Sequence, residues 1–108
     1  MLRGMRRLLK QYGYDSVPFE TAKDLRDYGD FDRAFCIVLD VNLSDGSGID
    51  LRHHLAESGI VLPVIYITGN DSHATRMSAM ASGCVAYLTK PFTAQSLIEP
   101  IQKAACFA

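Results

Sequence analysis

Three short apolar runs, each closed by a polar residue, constrain this chain most. Ala34–Asp40 reads AFCIVLD, Pro63–Thr68 reads PVIYIT and Val85–Leu88 reads VAYL, followed by Thr89 and Lys90. Runs this short, continuous rather than alternating, are the pattern of strands covered on both faces, as in parallel sheets. Helical spacing fills the intervals between them. Such alternation predicts a three-layer α/β fold around a parallel sheet with right-handed crossovers.

The chain opens on a helical pattern over roughly residues 1–12. Met1, Met5, Leu8, Leu9 and Tyr12 share one face, Arg3, Arg6, Arg7 and Lys10 the other, and Gly13 ends the helix. Tyr14–Phe19 is an edge-strand candidate because Pro18 lacks a ladder donor. Thr21 is placed to cap a helix over 22–28, with Asp24 at capping-box distance. Ser47–Ser58 reads as a helix burying Ile49, Leu51 and Leu55 and ending at Gly59. Asp71 or Ser72 caps the next, through Ser82 to Gly83, and Thr93 caps the last, to about Ala105. Pro100 inside that helix predicts a bend.

The chain has 108 residues, 48% hydrophobic and 21% charged, with 11 basic and 12 acidic side chains. One domain spanning 1–108 with a full core fits that length, and no output domain is visible. The near-neutral balance gives no overall pull toward nucleic acid. The longest nearly apolar stretch, Ile60–Thr68, is less than half a membrane span. With no signal-like h-region, the three cysteines, Cys36, Cys84 and Cys106, read as reduced thiols of a cytoplasmic protein, without metal-type spacing.

Sites in open α/β sheets form beyond the carboxyl ends of the strands. Asp40, Thr68 and Lys90 all fall there. A carboxylate nucleophile, a hydroxyl donor and an ammonium that offsets charge are the parts phosphoryl chemistry needs. A plain Asp–Lys ion pair without chemistry is the other reading of the same positions.

Four segments carry a resemblance. Leu39-Asp40-Val41-Asn42-Leu43 is followed by Gly48, Ile67-Thr68-Gly69 ends the next strand, and Ala81-Ser82-Gly83-Cys84 precedes Tyr87-Leu88-Thr89-Lys90-Pro91-Phe92. Taken in order, they resemble the receiver domains of two-component response regulators over essentially the whole chain, which implies a flavodoxin-like fold. The resemblance implies that Asp40 accepts phosphate from a histidine kinase and that Thr68 is the switch hydroxyl moving toward the phosphoryl group. It makes Lys90 the counter-ion and Tyr87 the aromatic switch. It implies that Asn42 offers its backbone carbonyl to Mg²⁺ and that Lys90-Pro91 is cis. The domain would be a signalling module rather than an enzyme.

The chain also departs from that pattern. Receivers begin with a central strand ending in an acidic pair that holds Mg²⁺, in the strand order 2-1-3-4-5. Here Met1 already lies in the first helix, so strand and acidic pair are expected to be missing and Mg²⁺ binding weak. Asp45 and Asp71 are the nearest substitutes, though both read better as loop or cap residues. Ser44 stands where the family usually has proline. Tyr14–Phe19 and Ala34–Asp40 would then face a gap. An upstream segment, direct pairing of the two, or a second chain could fill it, and an oligomer or poor stability is expected. A homodimer would form through the last two helices or by strand exchange.

Other residues read more plainly. His53, His54 and His73 are surface or loop residues. The Arg3/Arg6/Arg7/Lys10 stripe is a solvated face or a kinase-docking face, too small for direct DNA binding. The alternatives kept open are a phosphorylation-impaired interaction module and a flavin-binding or enzymatic relative. The latter would rely on Asp45-Gly46-Ser47-Gly48 as a phosphate loop.

Overall fold

The computed structural model describes residues 2–19, 21–29 and 31–106. Met1 and the side chains of Arg3 and Cys106, all singled out above, lie outside the described residues. Five helices occur among the described residues: α1 (Leu2–Gln11), α2 (Ala22–Tyr28), α3 (Gly48–Glu57), α4 (His73–Ala81) and α5 (Ala94–Cys106). The strands are β1 (Ile37–Asp40), β2 (Asn42–Leu43), β3 (Gly46–Ser47), β4 (Val64–Thr68) and β5 (Ala86–Thr89). The three apolar runs of the sequence become β1, β4 and β5, a parallel sheet in the order β1-β4-β5.

Two helices start where their expected caps stand: Thr21 Oγ1 accepts from the Asp24 N–H and Thr93 Oγ1 from Ser96. Ser47, expected inside α3, instead caps it, its Oγ accepting from Ile49 and Asp50. Ser72 rather than Asp71 caps α4, accepting from the Thr75 N–H at 3.1 Å. His73 is the first residue of α4 rather than a loop residue. Helix α5 continues through Pro100, whose ring is buried.

Two cores flank the sheet. On one face Leu39, Val64 and Tyr66 pack with Leu25 of α2 and Leu51 and Leu55 of α3. On the other, Ile65 and Ile67 pack with Leu9 of α1 and Leu97, Ile98 and Ile101 of α5. This is the expected three-layer arrangement, with odd and even positions of β4 serving opposite faces. Tyr66 is fully buried, and its hydroxyl lies 2.8 Å from Ser82 Oγ. Because Ser82 spends its own proton on the Ala79 carbonyl at 2.7 Å, the tyrosine must donate.

Two expectations fail. Tyr14–Phe19 forms no strand and does not pair with β1; it runs as irregular backbone after α1. Pro18 removes one donor, and a short run with no paired neighbour does not persist as a strand. Consequently β1 pairs only with β4 among the described residues, and its Val38 is half-buried rather than enclosed on both faces. Tyr12, assigned above to the apolar face of α1, is 50% exposed.

Candidate functional site

The carboxyl ends of three adjacent strands place Asp40, Thr68 and Lys90 together. Lys90 Nζ donates to Asp40 Oδ2 at 2.8 Å, a half-buried ion pair spanning 50 residues of sequence. The other carboxylate oxygen, Oδ1, accepts the Asn42 N–H at 3.0 Å. Thr68 is fully buried, and its Oγ1 accepts from Asn42 Nδ2 at 3.2 Å and from the Asn70 N–H at 3.0 Å. The Lys90 N–H donates to the Thr68 carbonyl at 2.8 Å, and the Lys90-Pro91 peptide is cis, as anticipated.

The loop after Asp40 is a small hairpin, β2 with β3, that turns the chain into α3. Gly48 is required at that return: a Cβ there would collide with the Asp40 carbonyl oxygen, while its N–H donates to the Val41 carbonyl at 2.9 Å. Asp45 leaves the crevice altogether. Its carboxylate accepts the Ala22 and Lys23 N–H groups at 2.9 and 3.1 Å, and these hydrogen bonds hold its pKa below the usual range. The glycine-containing loop also fails as a phosphate cradle, because Ser47 already takes the first-turn N–H groups of α3.

Tyr87 lies within β5 and is engaged away from Asp40. Its hydroxyl donates to Asp71 Oδ1 at 2.9 Å, Arg76 Nη2 pairs with Asp71 Oδ2 at 2.7 Å, and the Arg76 guanidinium lies 5.4 Å from the Tyr87 ring centroid. The tyrosine hydrogen bond, with Arg76, lowers the Asp71 pKa. Burial, reinforced by Asp71, raises that of Tyr87.

The donor set does not suit a divalent cation. Both oxygens of Asp40 are held by protein donors, Asp45 and Asp71 are committed elsewhere, and no group of three His, Cys, Asp or Glu among the described residues could share a metal. His53, His54 and His73 are exposed and take no part in the crevice.

The profile of the response regulator receiver domain covers residues 1–102. The chain belongs to the response regulator receiver family. This receiver chain is 35% identical over 101 residues to nodulation protein W of Bradyrhizobium diazoefficiens, covering 94% of the chain and 44% of that protein. It is 26% identical in sequence to FixJ-N, with a TM-score of 0.87 over 98% of the chain and 85% of that structure. A receiver protein from Pseudoalteromonas atlantica shares the fold, with a TM-score of 0.91 at 22% identity over 97% of the chain and 88% of that structure. The receiver chain thus spans less than half the length of nodulation protein W. No described helix is long and apolar enough to cross a membrane.

The structure brings Asp40, Thr68 and Lys90 together and sets Tyr87 against Asp71. Two contacts lie beyond the sequence reading: the Asn42 side-chain amide, not only its carbonyl, is engaged and binds Thr68, and Asp71, rather than capping α4 or offering a metal ligand, binds Tyr87. Asp71 follows β4 and Tyr87 lies within β5, and no spacing in the sequence signals that the two meet.

Proposed function

We propose that this chain is a phosphoacceptor that takes its phosphoryl group from a histidine kinase on Asp40. An Asp40 oxygen forms the new P–O bond as the P–N bond to the donor histidine breaks, and the imidazole nitrogen leaves with the electron pair. Lys90 offsets charge on the phosphoryl oxygens and the Thr68 hydroxyl donates to one of them. Tyr87 then repositions, altering the face built from α4, β5 and α5 as a population shift between two states. The exposed basic side chains Arg6, Arg7 and Lys10 of α1 are the docking face for the kinase.

The observation that carries this reading is the convergence of Asp40, Lys90 and Thr68, bridged by Asn42, at the ends of three adjacent strands. The test is incubation with acetyl phosphate, with and without Mg²⁺, read by intact mass. One added phosphoryl group, absent from Asp40→Asn, supports the reading; an unlabelled wild type overturns it.

A second reading has its own observation. Each Asp40 oxygen already accepts one hydrogen bond, from Lys90 or Asn42, and no group of three His, Cys, Asp or Glu that could hold a metal lies among the described residues. That favours a receiver-like interaction module with impaired phosphorylation, and the unlabelled outcome would select it.

A further inference from the structure

Thr68 Oγ1 has two lone pairs and one proton. Both lone pairs are engaged, by Asn42 Nδ2 at 3.2 Å and by the Asn70 N–H at 3.0 Å. The proton reaches no acceptor among the described residues, although Thr68 is fully buried. A buried hydroxyl whose acceptor capacity is full can rotate its proton only into the remaining direction, so it is set as a donor.

Asn42 is the residue that imposes this. It holds both reacting partners at once: its backbone N–H fixes Asp40 Oδ1 at 3.0 Å, and its side-chain amide fixes Thr68. We infer that the Asn42 side chain is a positioning residue, which caps Thr68 Oγ1 so that the hydroxyl proton is presented to a phosphoryl oxygen on Asp40. The inference rests on the phosphoacceptor reading of Asp40. Without the amide, the free lone pair can take a water, and the proton can turn away from the crevice. The preorganised donor becomes one conformer among several, which costs rate when charge develops on the phosphoryl oxygens.

Asn42 is exposed, and truncating it keeps the backbone N–H on Asp40. The role therefore separates cleanly in a double-mutant cycle. The experiment measures the rate of Asp40 labelling by acetyl phosphate in the wild type, Asn42→Ala, Thr68→Val and the double variant, with thermal melts as the check on folding. Asn42→Leu is added because it keeps bulk and removes only the donor. Labelling should slow about fivefold in Asn42→Ala and equally in Asn42→Leu, the equivalent of one lost hydrogen bond. In the Thr68→Val background, Asn42→Ala should change nothing further.

Equal effects of Asn42→Ala in both backgrounds overturn the inference while leaving the phosphoacceptor reading intact. So does a normal rate in Asn42→Leu. A wild type that does not label removes the reading and the inference together.

Discussion

The Tyr87 hydroxyl donates to Asp71 Oδ1 at 2.9 Å, tying β5 to the loop before α4. Any inward rotation of the ring must break this bond and leave the Arg76 guanidinium stacked above it. Replacing Asp71 by Asn removes the negative charge that faces Tyr87 and weakens this tie. The Tyr87 pKa should fall part of the way toward the ordinary phenol value, because the carboxylate contribution goes and the burial contribution stays. An absorbance titration of wild type against Asp71→Asn and Tyr87→Phe measures this. The folded pKa of Asp71 is lowered, so its stabilising effect is present above the unfolded value of about 3.9 and lost as pH falls through the folded one. The stability difference between wild type and Asp71→Asn should accordingly vanish in acid.

Gly48 has no room for a side chain because its neighbour is a backbone carbonyl, that of Asp40, which cannot rotate away. Gly48→Ala should cost about 1–3 kcal/mol in urea unfolding, the range for overpacking a tight interior. It should also displace Asp40 and slow labelling. Unchanged stability would show that the β1–α3 return is softer than its geometry implies.

Lys90 and Asp40 form a half-buried pair, so the stability they supply is modest. Lys90→Met, which keeps the stem and removes the charge, should lower stability by about 1 kcal/mol or less. Its effect on Asp40 labelling should be larger, at least about tenfold, since the ammonium offsets charge that exists only as the phosphoryl group arrives. Stability and labelling falling in step would mean that the pair is structural.

Cys36 is half-buried beside β1, and desolvation pushes its pKa up to about 11. The folded value lies above the unfolded one, so this thiol stabilises the fold fully below about pH 8.5 and loses that effect as pH rises toward the folded value. Alkylation by iodoacetamide near pH 8 should be slow in the native protein and rapid after denaturation. Fast native labelling at Cys36 would contradict its burial.

The strands that carry the site were legible because each is a continuous apolar run ended by a polar residue; β1 and β4 lie within those runs and β5 extends one residue past its run, to Thr89. The caps at Thr21 and Thr93 were legible because each stands where a side-chain oxygen must meet a free N–H. Tyr14–Phe19 misled because a strand is a pairing, and local composition does not say whether a neighbour exists. The crevice residues on the strand ends were readable from position, whereas the Asn42–Thr68 and Asp71–Tyr87 bonds were not. Both depend on side-chain direction across loops, which no periodicity encodes.

Strand β4 belongs to both cores, and every residue from Val64 to Thr68 is buried. Its central amides should exchange with solvent only through global opening, while the segments that follow the strand ends exchange through local fluctuation. The sheet is thus a stiff plate whose rim carries the chemistry. Displacement at Asp40 cannot travel through β4 by bending it, and must pass along the loops at the rim from Asn42 to Thr68 and on to Asp71. Stiffness in the middle is what would give a small event at one edge a definite direction at the other.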